Sequence, residues 1–209
     1  PHLVIVGNGM VSHRLCTALA RLGATDRFQV TILGEEPYLA YDRVHLSRYV
    51  RGRERNTLRL VTRAWYDEHQ IALETTDKAV EIDRKSKQVH TVSGKWIPYD
   101  HLILATGATP YLPPIPGLDK DTAYVYRTIA DLEAIKSAAQ SAKTVAIIGG
   151  GLLGLEAAQA LTELGLQAHI IENALYLMPR QLDVGAAARL RDTVESLGIE
   201  VSVDKVTLR

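Results

Sequence analysis

The sequence contains one short pattern twice, and this repeat constrains the fold more than any other feature. An apolar run of strand type ends in glycines at LVIVGNGM, residues 3–10, and again at VAIIGGGLLG, residues 145–154. A helical pattern and then a second apolar strand follow each glycine cluster. Strand, glycine turn, helix and strand form one βαβ unit, in which the two strands run parallel. The repeat therefore predicts an α/β fold with two Rossmann-like dinucleotide-binding units.

The second copy satisfies the pattern G-x-G-x-x-G with Gly149, Gly151 and Gly154. The first glycine permits a tight turn, the second lets the backbone approach a pyrophosphate, and the third lets the helix pack on the strand. Glu172 closes the following strand, where a carboxylate would accept hydrogen bonds from an adenosine ribose. A carboxylate there repels a 2′-phosphate, so we expect NAD rather than NADP. The alternative is a glycine turn that serves packing alone.

The first copy is less regular than the second. Gly7 and Gly9 are present, but Ser12 stands in the place of the third glycine. The ribose acid would be Glu35 or Glu36, and the sequence does not choose between them. Two such units in one chain are what a flavin-dependent reductase needs, because it holds FAD and NAD(H) at once.

The stretch between the two copies has a different sequence pattern. Short pieces of β type separated by polar turns, between Ile71 and Trp96, predict a small antiparallel meander. Thr62 and Thr128 each stand where a helix N-cap is expected, and Asp131 completes a capping box with Thr128. Beyond the second copy, Asp183 begins one more helix, toward Leu197. We expect an FAD-binding domain at 1–118, a connection at 119–142 and a truncated NAD-binding domain at 143–209.

Charge and cysteine content exclude several classes of protein. The 24 lysines and arginines balance 24 acidic residues, which argues against nucleic acid or an anionic membrane as a partner. Cys16 is the single cysteine, so an intrachain disulfide is excluded, a thiolate metal site is not expected, and a core role fits its helical spacing. Without a leader pattern or an apolar run of about 18 residues, we expect a cytoplasmic protein.

Five segments together resemble one protein family. They are IVGNGMVSHR, EEPYLAYDRVHLSRY, ATGATPYLPPIPG, VYRTIADLEAI and GGGLLGLEAAQAL. They resemble the large subunits of assimilatory NAD(P)H nitrite reductases, which are two-dinucleotide-domain flavoprotein reductases of the pyridine nucleotide-disulfide oxidoreductase type. The resemblance covers essentially the whole chain.

The resemblance implies further contacts with FAD. It places the backbone of Ala105, Thr106 and Gly107 beside the cofactor. It also makes Arg43 and Arg48 candidates to offset pyrophosphate charge or to hydrogen-bond the flavin, although arginines of a solvated loop form salt bridges equally well.

The resemblance also has implications for the nicotinamide end of the site and for the lack of cysteine in the loop 41–47. Glu156 matches a residue near the nicotinamide end, although an acid in the first turns of a helix is favourable without any catalytic role. The loop 41–47, where disulfide-reducing relatives carry cysteines, has none. A flavin without a thiol neighbour must pass its electrons to another redox centre.

The implied function is an NADH-oxidising flavoprotein part of a nitrite reductase, which reduces nitrite to ammonia. Electrons would pass from NADH through FAD to iron–sulfur and sirohaem centres in the rest of the parent protein, with a small subunit and a homo-oligomer as further expected partners. No catalytic acid–base set and no metal ligand are expected within this sequence. We expect that this chain by itself does not reduce nitrite. The alternatives are a ferredoxin- or rubredoxin-type NADH reductase and a non-catalytic dinucleotide-binding module.

Overall fold

Both repeated apolar runs form strands of parallel sheets, as short β-branched segments favour. The strand His2–Val6 is buried on both faces, whereas Thr144–Ile148 has one partly buried and one exposed face. The computed structural model of the protein describes residues 1–50, 52, 54–118 and 122–207. By internal contacts the chain forms two units, Pro1–Arg43 with Arg55–Thr109 and Val44–Glu54 with Pro110–Arg209. The start of the expected connection, residues 119–121, lies outside the described residues, and the domain bounds expected from cofactor binding stay a prediction.

The strands are, in chain order, β1 (His2–Val6), β2 (Gln29–Leu33), β3 (Ile71–Glu74), β4 (Ala79–Asp83), β5 (Gln88–Thr91), β6 (Trp96–Pro98), β7 (His101–Leu104), β8 (Thr144–Ile148), β9 (Gln167–Ile171) and β10 (Glu200–Ser202). The helices are α1 (Met10–Arg21), α2 (Leu46–Val50), α3 (Arg63–Glu68), α4 (Ile129–Ala139), α5 (Leu152–Glu163) and α6 (Val184–Ser196).

The first unit contains a parallel sheet of strand order β3-β2-β1-β7. Leu3 of β1 lies opposite Val30 on one side and opposite His101 on the other. The strand Ile71–Glu74 corrects the sequence prediction, which placed it in the antiparallel meander. It pairs parallel with β2 instead, so the meander consists of β4, β5 and β6.

The first sheet is covered on both faces. One face packs under α1 and α3 in a cluster of buried residues, which are Leu3, Ile5, Cys16, Val30, Ile32, Ala40, Val61, Tyr66 and Ile71. The opposite face buries Val4, Val6 and Leu33 against Val89 of the meander. The alternation of side chains along β1 thus supplies both layers of the core.

The second unit contains a parallel sheet of strand order β10-β9-β8. Its core includes Ala158 of α5, Ile170 of β9, Val194 of α6 and Val201 of β10. The α/β fold with Rossmann-like units and a small meander, as predicted, is confirmed.

The predicted helix caps are also confirmed. The Thr62 side chain accepts a hydrogen bond from the backbone N–H of Trp65. Thr128 and Asp131 form a capping box, since each side chain accepts from the backbone N–H of the other. Asp183 accepts from the N–H of Ala186 at 2.8 Å.

Candidate functional site

The first glycine turn, residues 7–9, is packed against the end of β7. Gly7 has φ +110°, a conformation that side chains rarely adopt, and a Cβ there would lie 2.2 Å from the carbonyl oxygen of Ala105. It would also lie 3.0 Å from the backbone nitrogen of Thr106. The structure therefore brings together Gly7 and the segment Ala105–Thr106. Gly107, with φ +73°, follows as an exposed residue.

Gly9 occupies the N-cap position of α1. No heavy atom among the described residues comes within 4 Å of a Cβ built on Gly9, so the space above this helix end is open. Ser12, in the first turn of α1, is completely buried. Its small side chain packs where the second copy has its third glycine.

The two acids that follow β2 have different surroundings. Glu35 is exposed and pairs with Lys78 at 2.8 Å. Glu36 is half-buried; its carboxylate accepts a hydrogen bond from the Tyr41 hydroxyl at 2.7 Å and pairs with the guanidinium of Arg43. The Arg43 guanidinium also lies over the Tyr41 ring, 4.8 Å from its centroid.

The two candidate arginines belong to different units. Arg43 ends the first segment of the first unit, where it is held by Glu36. Arg48 is an exposed residue of α2, which belongs to the second unit.

The second glycine turn has the same backbone form as the first. Gly149 has φ +112°, close to the value at Gly7. A Cβ on Gly154 would lie 2.0 Å from the Gly149 carbonyl oxygen, which leaves room only for glycine. Gly151 is the N-cap of α5, and within the described part of the chain nothing lies within 4 Å of a Cβ built there.

Glu172 points at the second turn. It is buried, 8% exposed, and its Oε2 accepts a hydrogen bond from the Gly150 N–H at 2.6 Å. Its Oε1 accepts from the Ala174 N–H at 2.8 Å. Each carboxylate oxygen can accept more than one hydrogen bond, so this fixed group keeps acceptor capacity for a ligand hydroxyl. Glu156, also predicted from the resemblance, is half-buried on α5.

The helix ends at the two turns differ from the other helix starts with a described cap. Side chains of Thr62, Thr128 and Asp183 cap α3, α4 and α6. The caps of α1 and α5 are Gly9 and Gly151, and neither helix has a side-chain cap. The first N–H groups of α1 and α5 are thus left for an anion, which the helix dipole also favours.

Two buried groups near the first turn have shifted pKa values. Burial raises the pKa of the Cys16 thiol to about 11, so this thiol is protonated at neutral pH. Burial likewise raises the pKa of the Tyr66 phenol to about 12. Both residues belong to the core cluster under α1 and α3.

Asp77 is a buried acid that the sequence interpretation missed. Its carboxylate accepts hydrogen bonds from the Ser93 N–H at 3.1 Å and from the Ser93 hydroxyl at 2.8 Å. Burial raises its pKa, but these hydrogen bonds and the charge of Lys95 outweigh burial, so the pKa of Asp77 lies below its ordinary value. Its N–H donates to the Gly34 carbonyl, which ties the meander to the end of β2.

The sequence interpretation also missed how the two turns differ. Leu33 pairs with Val6 in the first sheet as Ile171 pairs with Ile148 in the second, so Gly34 stands in the place of Glu172. In the turns themselves Asn8 stands in the place of Gly150. A position-by-position comparison of the two copies would have revealed both exchanges.

The described residues include neither a metal-binding cluster nor a membrane-spanning helix. Among the described residues, no group of three or more His, Cys, Asp or Glu side chains could hold a metal ion. Over the same residues, every helix is too short or too polar to cross a membrane.

Comparisons with known proteins agree with this architecture. The family described as pyridine nucleotide-disulphide oxidoreductase matches residues 1–208. The nitrite reductase (NADH) large subunit of Escherichia coli (strain K12) is 46% identical over 99% of this chain and 24% of its own length. The nitrite reductase [NAD(P)H] of Bacillus subtilis (strain 168) is 40% identical over 98% of this chain and 26% of its own length. The chain thus spans about a quarter of these relatives.

A solved structure shows the same fold. NADH:rubredoxin oxidoreductase from Clostridium acetobutylicum superposes with a TM-score of 0.86 and 28% sequence identity, covering 99% of this chain and 53% of that one. The resemblance inferred from the five sequence segments is confirmed by these matches.

Proposed function

Because this chain belongs to the pyridine nucleotide-disulphide oxidoreductase family, we propose that it is the NADH-oxidising flavoprotein part of a nitrite reductase large subunit. Membership of the family confirms the predicted enzyme class, an oxidoreductase, and the predicted use of FAD with NAD(H). Reduction of nitrite, with the iron–sulfur and sirohaem centres that it requires, belongs in this proposal to the remaining three quarters of such a protein.

The observation that supports the proposal most is the pair of helix ends at the glycine turns. In both, the cap is a glycine with open space above it, and the following N–H groups have no side-chain acceptor at the cap. Two diphosphates fit two such ends, because backbone N–H groups and the helix dipole bind an anion without a charged side chain. We assign FAD to the first turn and NAD(H) to the second.

The residues of the first turn would hold FAD through backbone. Gly7 and Gly9 would let the main chain approach the pyrophosphate, Ser12 packs the helix on the strand, and Ala105 and Thr106 lie against Gly7, with Gly107 next in the chain as a further candidate contact to FAD. FAD, when bound, supplies acceptance of a hydride from NADH and release of electrons one at a time.

Charged groups near the first turn have proposed roles in binding parts of FAD. Glu35 and Glu36 remain the candidate ribose acids, and Arg43 would balance the charge of Glu36 and the phosphates together. Arg48, exposed on α2, remains a candidate contact to the flavin.

The second turn would hold NAD(H). Gly149 and Gly154 fix the turn, Gly151 opens it to the pyrophosphate, and Glu172 accepts the ribose hydroxyls. The Glu172 carboxylate would repel a 2′-phosphate, so NADH would bind more tightly than NADPH. Glu156, on α5, remains a candidate at the nicotinamide end.

The buried, protonated thiol of Cys16 supports electron transfer rather than disulfide reduction. A thiol in the core cannot reach a substrate disulfide, and the loop at 41–47 carries no other. In this proposal the electrons therefore leave for redox centres elsewhere in the parent protein, in the cytoplasm. A small subunit and a second copy of the chain are further proposed partners.

The test uses the full-length protein that contains this chain. We expect flavin absorbance in the purified protein and its bleaching by NADH without oxygen. Gly9→Val should abolish flavin retention, whereas Gly151→Val should keep the flavin but prevent bleaching; Gly185→Ala, on the exposed start of α6, is the control. A protein without flavin, or with flavin that NADH does not bleach, would leave only a dinucleotide-binding module.

The second candidate is an NADH reductase of a rubredoxin or ferredoxin, which the likeness to NADH:rubredoxin oxidoreductase favours. Both candidates share NADH oxidation, so the electron acceptor decides between them. Sirohaem absorbance and NADH-dependent loss of nitrite in the full-length protein support the first, and rapid reduction of added rubredoxin without sirohaem supports the second.

A further inference from the structure

Asn8, the middle residue of the first turn, connects three segments of the first unit. Its side-chain Nδ2 donates a hydrogen bond to the Tyr38 carbonyl at 3.0 Å. Its Oδ1 accepts a hydrogen bond from the Tyr66 hydroxyl at 3.4 Å. The amide therefore links the turn at Gly7–Gly9, the loop that carries Glu35 and Glu36, and helix α3.

Tyr66 is a fixed donor in this arrangement. The residue is completely buried, and the Trp65 ring packs against it edge to face with centroids 5.4 Å apart. With a pKa of about 12, the hydroxyl is protonated throughout the physiological range. The 3.0 Å bond to the Tyr38 carbonyl and the longer, weaker bond from the Tyr66 hydroxyl together orient the amide, with Oδ1 toward α3 and Nδ2 toward Tyr38.

The second turn is held by a different group. There the residue in the place of Asn8 is Gly150, and the strand-end carboxylate of Glu172 binds its N–H directly. In the first turn the strand-end residue is Gly34, where a Cβ would lie only 3.0 Å from the Asn8 Cβ. The side chain that fixes the turn therefore belongs to the strand end in the second copy and to the turn itself in the first copy.

We propose that Asn8 and Tyr66 are positioning residues for the first dinucleotide. The Tyr66 hydroxyl acts through the Asn8 amide, which orients the 7–9 backbone so that its N–H groups are preorganised for the diphosphate of FAD. The inference rests on the proposed function, since it takes FAD as the occupant of the first turn. Glu172 gives the second turn the same rigidity without such a pair.

The experiment is a double-mutant cycle on the full-length protein, with FAD binding to the flavin-free form measured by flavin fluorescence. Tyr66→Phe should weaken FAD binding about threefold to tenfold, as loss of one hydrogen bond does, and Asn8→Ala should weaken it at least as much, because it also loses the bond to the Tyr38 carbonyl. The double variant should bind FAD no more weakly than Asn8→Ala, because the Tyr66 hydroxyl has no amide to act through once Asn8 is replaced. NADH affinity should stay within about twofold of the wild type in all three.

Tyr99→Phe is the matched control, since Tyr99 packs against the core cluster on the other face of the same sheet. It should leave FAD binding unchanged. If Tyr66→Phe fails to fold, Asn8→Ala decides alone, through its FAD affinity relative to its NADH affinity.

Three results would overturn the inference: unchanged FAD affinity in the variants, additive losses in the cycle, or equal loss of FAD and NADH binding. Each would mean that the two residues do not act together on the first turn. A wild-type protein that binds no FAD would instead overturn the proposed function, so the two failures are distinguishable.

Discussion

The carboxylate of Glu172 lies 2.6 Å from the backbone nitrogen of Gly150, so the acid at the strand end and the glycine turn form one rigid group. A ligand hydroxyl at this turn would meet a carboxylate whose position is fixed in advance. Such preorganisation reduces the entropy that is lost on binding.

Glu172→Gln should change the preference between the two nicotinamide dinucleotides. The neutral side chain no longer repels a 2′-phosphate, and its amide can accept at only one of its two ends. We expect NADH to bind more weakly and the ratio of the NADPH to the NADH dissociation constant to fall about tenfold, or about 1.4 kcal/mol. Titration by protein fluorescence measures both constants. Glu163→Gln, on the exposed side of α5, should leave the ratio unchanged, and an unchanged ratio in Glu172→Gln would remove this acid from the ribose site.

Substitutions at two glycines of the second turn should have different effects, one on stability and the other on NADH binding. In Gly154→Ala the new methyl group would lie 2.0 Å from the Gly149 carbonyl oxygen, so the backbone must move. We expect a loss of about 1–3 kcal/mol in the free energy of unfolding. Gly151→Ala places its methyl group in open space and should change stability by less than about 0.5 kcal/mol, while NADH binding weakens at least about tenfold. Urea unfolding and NADH titration of both variants check this pair, which the reverse pattern would contradict.

The thiol of Cys16 should be unreactive in the folded protein. Its pKa of about 11 leaves almost no thiolate at pH 8, and the core encloses the sulfur. We expect slow alkylation by iodoacetamide that becomes fast in urea, and NADH should still bleach the flavin in Cys16→Ala. Mass spectrometry of the alkylated protein measures the rate. Rapid labelling of the native chain would show that the core opens at this helix.

Asp77 should make the stability of the first unit depend on pH. Its pKa is lowered in the folded protein, so its stabilising contribution is present above the ordinary aspartate range and is lost as the pH falls through the folded value. Urea unfolding of the wild type at a series of acidic pH values should show this loss, and Asp77→Asn should show a smaller one. Asp26→Asn, an exposed acid, should keep the wild-type profile. Equal profiles in all three proteins would assign the acid sensitivity to other groups.

Features set by neighbouring residues could be predicted from the sequence. The caps at Thr62, Thr128 and Asp183 depend on side chains within three residues, and all three are found. The glycine turns depend on spacing along one strand and one helix, and both turns form. Such short-range preferences are determined by the local backbone itself.

Features set by distant partners could not be predicted in this way. The strand Ile71–Glu74 has the texture of the meander that follows it, but its partner is β2, about 40 residues earlier. After β3 the chain passes through Thr76, which has φ +61°. The next strand, β4, joins the meander and forms no hairpin with β3. The hydrogen bond between Asn8 and Tyr66 likewise depends on α3 folding back onto the first turn, which no local pattern indicates.

The position of β1 between β2 and β7 has a consequence for synthesis on the ribosome. His2 and Asp100 are hydrogen-bonded although they are 98 residues apart, and β1 gains its second neighbour only when β7 has been made. During translation one edge of this apolar strand therefore stays unpaired until residues 101–104 leave the exit tunnel. Nascent chains that end before β7 should engage chaperones. Chains that extend through β7 should be released from the chaperones and should resist protease.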